Sequence, residues 1–250
     1  SAREAAERLG ITEGAAHALF RGAPEEAEQC FRAALRTDRR SAQYMNLLGV
    51  ALAEQGRVDE ALATLRRAAK ARPDFAEAHY NAGKVLHKSG DLRGARDAFA
   101  RALALDPRYP GARYYLGSTL TELGAAEAAI ALLAGAVAAE TADEWLPIQL
   151  ARSLLAAGRG DEGSQVLRAA AERMPGSAQV RRAHGAALLA AGRFAEGWAE
   201  YRHRAVVGDQ SRSALPEVLP EDLTGRELHV VWEQGLGDVL FFARFLAPPR

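Results

Sequence analysis

A chain of 250 residues can hold one or two ordinary domains or a single elongated array, and a 48% hydrophobic share is enough for a continuous core. Lysine plus arginine equal aspartate plus glutamate at 32 each, so the basic surplus that phosphate backbones demand is missing and nucleic acid is excluded as the main partner. Cys30 is the only cysteine, which rules out an internal disulfide and fits a reducing, cytoplasmic compartment.

The chain begins Ser1-Ala2-Arg3-Glu4, with neither an initiator methionine nor an apolar signal region, and is expected to be a processed or excised piece of a longer polypeptide. Residues 1–7 read as the tail of a helix. Glycine then recurs at 22, 56, 90, 124, 158 and 192, six times at a spacing of 34. Five residues after each comes a small residue: Ala27, Ala61, Ala95, Ala129, Gly163 and Gly197. A large plug follows at Phe31, Leu65, Phe99, Leu133, Leu167 and Tyr201, then another small residue at Ala34, Ala68, Ala102, Ala136 and Ala170, with Arg204 breaking the series. Seven residues before the ladder, Gly49, Gly83, Gly117 and Gly185 share one slot with Ala15 and Ala151. Pro73, Pro107 and Pro175 close three units.

Each position has a physical reason. Small side chains let two helices approach, and the plug fills the space beside them. The ladder glycine ends the first helix of a pair, where a left-handed backbone suits a residue without a Cβ. Proline falls where a helix must stop, because it donates no backbone hydrogen bond. A fixed period of 34 marks a helix-turn-helix solenoid. In these residues the chain resembles the tetratricopeptide repeat family, with units at about 8–41, 42–75, 76–109, 110–143, 144–177 and 178–204. The expected fold is all-α, a right-handed superhelical solenoid over residues 1–204. The run Ala128–Ala139 is 12 residues long, too short to span a bilayer, and reads as a core helix; no membrane insertion is expected.

After Arg204 the character changes. Residues 205–224 are polar and turn-rich, with Pro216 and Pro220, and read as a linker. Leu228–Trp232 is a short β-branched and aromatic run with strand character, Glu233–Gly237 a glycine-rich turn, and Asp238–Leu246 a helix stopped by Pro248 and Pro249. Residues 225–250 thus add a short α/β-like segment, strand, loop and helix, with no second strand. Its apolar groups are expected either to cap the last repeat near Leu188, Leu189 and Trp198 or to pair with another copy's tail, giving self-association.

The resemblance implies that first helices line a concave face that binds a protein or peptide. Its outward positions here are Tyr80, Asn81, Lys84, His87 and Lys88, then Tyr114, Tyr115, Ser118 and Glu122, then Trp145, Gln149 and Arg152. Rings beside long cations suit an extended peptide, and Tyr80, Lys84 and Tyr114 are expected to face outward; a solvated face with incidental aromatics is the plainer alternative. The carboxylate clamp of chaperone-binding relatives is not expected. Asn81 fits its middle slot, but Asn46, Val50, Gly111 and Tyr115 stand where its other donors belong.

The tail carries a second resemblance. Glu233-Gln234-Gly235-Leu236-Gly237-Asp238 with Phe242-Ala243-Arg244-Phe245, and Gly197–Arg202 upstream, is similar to bacterial proteins that join such repeats to a heptosyltransferase-like glycosyltransferase of the GT-B fold. The resemblance implies Asp238 as a general base in a complete enzyme; an aspartate directly before a helix is also a common N-cap. One strand and one helix build no cleft, so this chain is not expected to catalyse anything by itself. The six histidines form no ligand set, no phosphate-cradling loop or nucleophile turn occurs, and neither metal nor cofactor is expected.

Overall fold

A computed structural model of the chain describes residues 22–109, 111–139 and 142–201. Within them lie eleven helices and no strand: α1 Pro24–Thr37, α2 Ala42–Glu54, α3 Val58–Ala71, α4 Ala76–Lys88, α5 Leu92–Leu105, α6 Ala112–Glu122, α7 Ala126–Ala139, α8 Trp145–Ala156, α9 Gly160–Arg173, α10 Ala178–Ala190 and α11 Phe194–Tyr201. The even-numbered helices are the first of each pair and the odd-numbered the second. The helix expected before Gly22, the linker and the strand-loop-helix tail lie outside the described residues.

All six ladder glycines have positive φ, between 65° and 87°. The turn they make is closed by a bond that skips the glycine. Arg57 N–H reaches Leu52 O at 3.0 Å, and Asp91, Ala125, Arg159 and Arg193 repeat it onto Leu86, Leu120, Leu154 and Leu188. Those bonds satisfy carbonyls that a helix end otherwise leaves without a donor. Second helices end with one further turn of the chain at Pro73, Pro107 and Pro175, just past Ala71, Leu105 and Arg173. Three starts are capped by side chains: Ser41, Asp91 and Ser177 accept from Tyr44, Gly94 and Val180 N–H.

Within a pair, the two helices touch through the glycine slot. A Cβ placed on Gly49 would fall 2.6 Å from Leu65 Cγ, one on Gly83 the same distance from Phe99 Cε1, and one on Gly117 2.7 Å from Leu133 Cδ1. The plug therefore occupies the volume that the missing side chain leaves. Phe31, Leu65, Phe99, Leu133 and Leu167 are all buried, as are Ala27, Ala61, Ala95 and Ala129 beside them. Successive pairs then share a core: Leu133 and Ala136 of α7 pack with Leu146, Leu150 and Leu154 of α8. The apolar run over 128–139 is a core helix, with Ala129, Leu133 and Ala136 buried.

The two layers differ. Successive first helices approach one another, α2 to α4, α4 to α6, α6 to α8 and α8 to α10, and among the described residues no successive second helices come as close. The first helices thus form the tighter inner layer of the solenoid. This is the layer that carries the candidate site.

Candidate functional site

Five rings run across the inner layer without a break. Tyr109, from the turn after α5, lies 4.9 Å from Tyr80 of α4, centroid to centroid. Tyr80 lies 5.7 Å from Tyr115 of α6, Tyr115 5.2 Å from Tyr114, and Tyr114 6.2 Å from Trp145 of α8. The last three contacts are edge-on, the arrangement that sets a ring's positive rim against its neighbour's negative face. Trp145 is 44% exposed and is the open end of the series. Its helix start is anchored by Asp143, which accepts from Trp145 and Leu146 N–H at 2.8 and 3.1 Å.

The residues singled out from sequence divide into three groups. Lys84, Lys88, Arg152 and Trp145 are exposed, and among the described residues none of the three cations makes an ion pair. Lys84 Nζ stands 5.8 Å from the centre of the Tyr80 ring. Tyr80, Asn81, His87, Tyr114 and Tyr115 are half-buried. Ser118 and Gln149 are buried at 8% and 1% exposure, so neither offers an open surface as expected. The cause is the close approach of first helices, which folds both positions into the contact. Ser118 Oγ donates to Glu122 at 3.0 Å, the same carboxylate oxygen that meets His87 Nε2 at 3.0 Å across the repeat boundary. Gln149 Oε1 is buried without a hydrogen-bond partner.

Tyr80 also departs from the outward orientation read from sequence. Its ring packs 5.9 Å from the plug Phe99 and joins the core beside it. Burial pushes the Tyr80 phenol up to about 12, with Tyr115 adding to the rise. Burial raises Tyr109 further, helped by the Glu77 carboxylate, Tyr80 and Asp106. Both hydroxyls are therefore neutral donors over the ordinary pH range.

Sequence reasoning missed three residues here. Asn46 is 0% exposed; its Nδ2 donates to Glu77 Oε1 at 3.0 Å, and its Oδ1 accepts from Asn81 at 2.9 Å. Burial pushes the Glu77 carboxyl up, opposed by the Asn46 hydrogen bond and by Arg72. Tyr109 was missed because it sits in an inter-repeat turn, and the positional signal pointed only to first helices. Asp238, the candidate base of a complete glycosyltransferase, lies outside the described residues. Among the described residues no cluster of potential metal ligands occurs, and no helix is long and apolar enough to cross a membrane.

Comparison with known proteins fits this architecture. Residues 49–90 match a family described as TPR repeat, and 86–145 and 120–187 match one described as Tetratricopeptide repeat, together more than half of the chain. The chain belongs to the tetratricopeptide repeat family. Human Tetratricopeptide repeat protein 8 is 37% identical over 67 residues, and the match spans 27% of this tetratricopeptide repeat chain but only 12% of that protein. Among solved structures, a tetratricopeptide repeat protein from Parabacteroides merdae matches 82% of this chain and 80% of its own, with a TM-score of 0.63 and 16% identity. YrrB, described as a TPR protein with an unusual peptide-binding site, matches 71% of this chain and 91% of its own, with a TM-score of 0.54 and 23% identity. MamA matches 65% and 89%, with a TM-score of 0.57 and 21% identity. At these identities the likeness is one of fold. The tetratricopeptide array has the scaffold architecture of proteins that bind protein or peptide partners.

Proposed function

We propose that the inner layer between α4 and α8 is a groove that docks an extended segment of a partner protein, and that the chain works as a scaffold without chemistry of its own. The observation that carries this reading is the ring series from Tyr109 to Trp145, bordered by the exposed cations Lys84, Lys88 and Arg152. Rings supply contact area at low entropic cost, and the cations supply charge-assisted hydrogen bonds to carboxylates. A peptide-binding site in the fold neighbour YrrB supports the reading by analogy alone. A cytoplasmic setting agrees with the single cysteine.

The test is selection of peptides from a random library on the folded chain, followed by titration of Trp145→Ala and Arg152→Ala. Both side chains are exposed, so affinity should fall while the melting temperature holds. Peptides that bind both variants as tightly as the parent would place the site elsewhere.

A second reading rests on the loop Glu233–Asp238, whose resemblance points to a glycosyltransferase whose repeats present the acceptor. It requires that the natural full-length polypeptide release nucleotide from a nucleotide-sugar and that Asp238→Asn abolish this. Self-association through the apolar segment 228–246 is a separate expectation, checked by comparing solution mass with and without residues 225–250.

A further inference from the structure

We infer that Glu77, Tyr80 and Tyr109 form a receptor for one basic side chain of the docked segment, an alkylammonium or guanidinium group. The inference rests on the groove reading and names what one end of that groove recognises. Glu77 is placed at the Tyr109 end of the ring series by a buried partner: Asn46 donates to Oε1 at 3.0 Å and itself accepts from Asn81 at 2.9 Å. Oε2 is left for a ligand, and among the described residues no cation lies within ion-pair distance of the carboxylate. Arg72 acts on Glu77 only through its field, because its guanidinium is stacked 3.4 Å from the centre of the Phe75 ring.

The rings complete the receptor. Tyr80 and Tyr109 stand 4.9 Å apart and tilted by 48°, in contact with each other, and the Glu77 charge acts on the Tyr109 phenol, so rings and carboxylate share one end of the layer. A carboxylate flanked by aromatic rings is an arrangement that attracts a partly desolvated cation. The ring pair is held in place. Gly111, with φ of 76°, leaves room for the Tyr80 hydroxyl, which would stand 3.1 Å from any Cβ there. On its other side Tyr80 is braced by Phe99 and Tyr115. Lys84 stands over the Tyr80 ring at 5.8 Å but leaves the carboxylate free: seven residues along α4 set it about 10 Å from Glu77, and the two make no ion pair. A segment with a basic residue at Glu77 and an acidic one toward Lys84 would match both charges. Burial already pushes the Glu77 carboxyl up, so an arriving cation also relieves the cost of ionising it.

The experiment uses the folded chain with 13C-labelled tyrosine and two small probes, N-acetyl-lysine amide and N-acetyl-glutamate amide. The lysine probe should shift the Tyr80 and Tyr109 ring signals saturably, and the glutamate probe should leave them still. Glu77→Gln keeps the acceptor for Asn46 and the fold, and should weaken the lysine probe about tenfold. Lowering the pH through the Glu77 titration should weaken it likewise. Equal response in Glu77→Gln, or equal response to both probes, overturns the receptor. A selected peptide that perturbs Tyr114 and Trp145 while the lysine probe leaves Tyr80 and Tyr109 unmoved keeps the groove and removes the receptor. A lysine response without any peptide at Tyr114 and Trp145 supports the receptor and removes the groove.

Discussion

Phe99 lies against Tyr115 with ring centres 5.4 Å apart and planes only 21° from parallel. One ring is the plug of its repeat and the other belongs to the face of the next first helix, so the candidate groove has no clear border with the core. Removing Phe99 should be felt in both. Phe99→Ala is expected to cost about 3–5 kcal/mol, measured by urea denaturation, and to weaken peptide binding at temperatures where the variant is still folded. Retained affinity would show that the rings of the face hold their places without the plug.

The glycine slot gives a sharper test of packing. Gly83→Ala should destabilise by about 1–3 kcal/mol, because the new methyl meets the Phe99 ring. The double variant Gly83→Ala with Phe99→Leu should recover part of the loss that the two single changes add up to. Strict additivity in thermal melts would mean that slot and plug are not one contact. Ala102→Leu, at a fully buried crossing, should cost a similar amount.

At Gly56 the cost has a different origin. No atom would touch an added Cβ, yet φ is 76°, a conformation that L side chains seldom adopt. Gly56→Ala should therefore destabilise by about 1 kcal/mol through backbone strain alone. No second-site change in packing should rescue it, and that is the measurement that separates it from Gly83→Ala.

Acid should loosen the last repeat first. His184 stands where other repeats place Leu48, Leu116 and Leu150, and its Nδ1 is buried without a partner. Burial holds its pKa below 6.5; Glu200 and Glu196 oppose this, while Arg193 and Arg168 assist it. The neutral ring is favoured in the folded chain, so its contribution is complete above the unfolded value and is lost as pH falls below about 6.5. His79, lowered by burial and by Arg101, has the same sign. The carboxylates of Glu28, Glu60, Glu162 and Glu196, held low mainly by hydrogen bonds, give way only below 4.5. His184→Leu should flatten the melting temperature between neutrality and mild acid. An unchanged pH profile would remove His184 as the cause.

Much of this fold was legible in the sequence because its determinants are local and periodic. Gly56 fixes a turn by its own backbone, and Gly49 with Leu65 needs only the knowledge that residues sixteen apart face each other across a helix pair. The face was harder to read. Tyr80 was placed on the correct helix, yet its burial depends on Phe99 and on the turn at Gly111, which no property of Tyr80 announces. Gln149 and Ser118 sit at outward register positions, but neighbouring first helices close over them. Asn46, Glu77 and Asn81 form a chain across a repeat boundary that only three-dimensional proximity reveals.

Among the described residues, the helices in extensive contact are pair mates or neighbours in successive repeats. The separation of Tyr80 from Trp145 is then set by two successive joints, each with its own small freedom of twist. A ligand that bridges them works as a splint, and fixing one joint changes what the other presents. Affinity for a long segment should therefore depend on the joints as much as on the residues it touches, and both are pinned by side chains, α4–α6 by His87 with Glu122 at 3.0 Å and α6–α8 by the Thr121 and Ser153 hydroxyls at 2.8 Å.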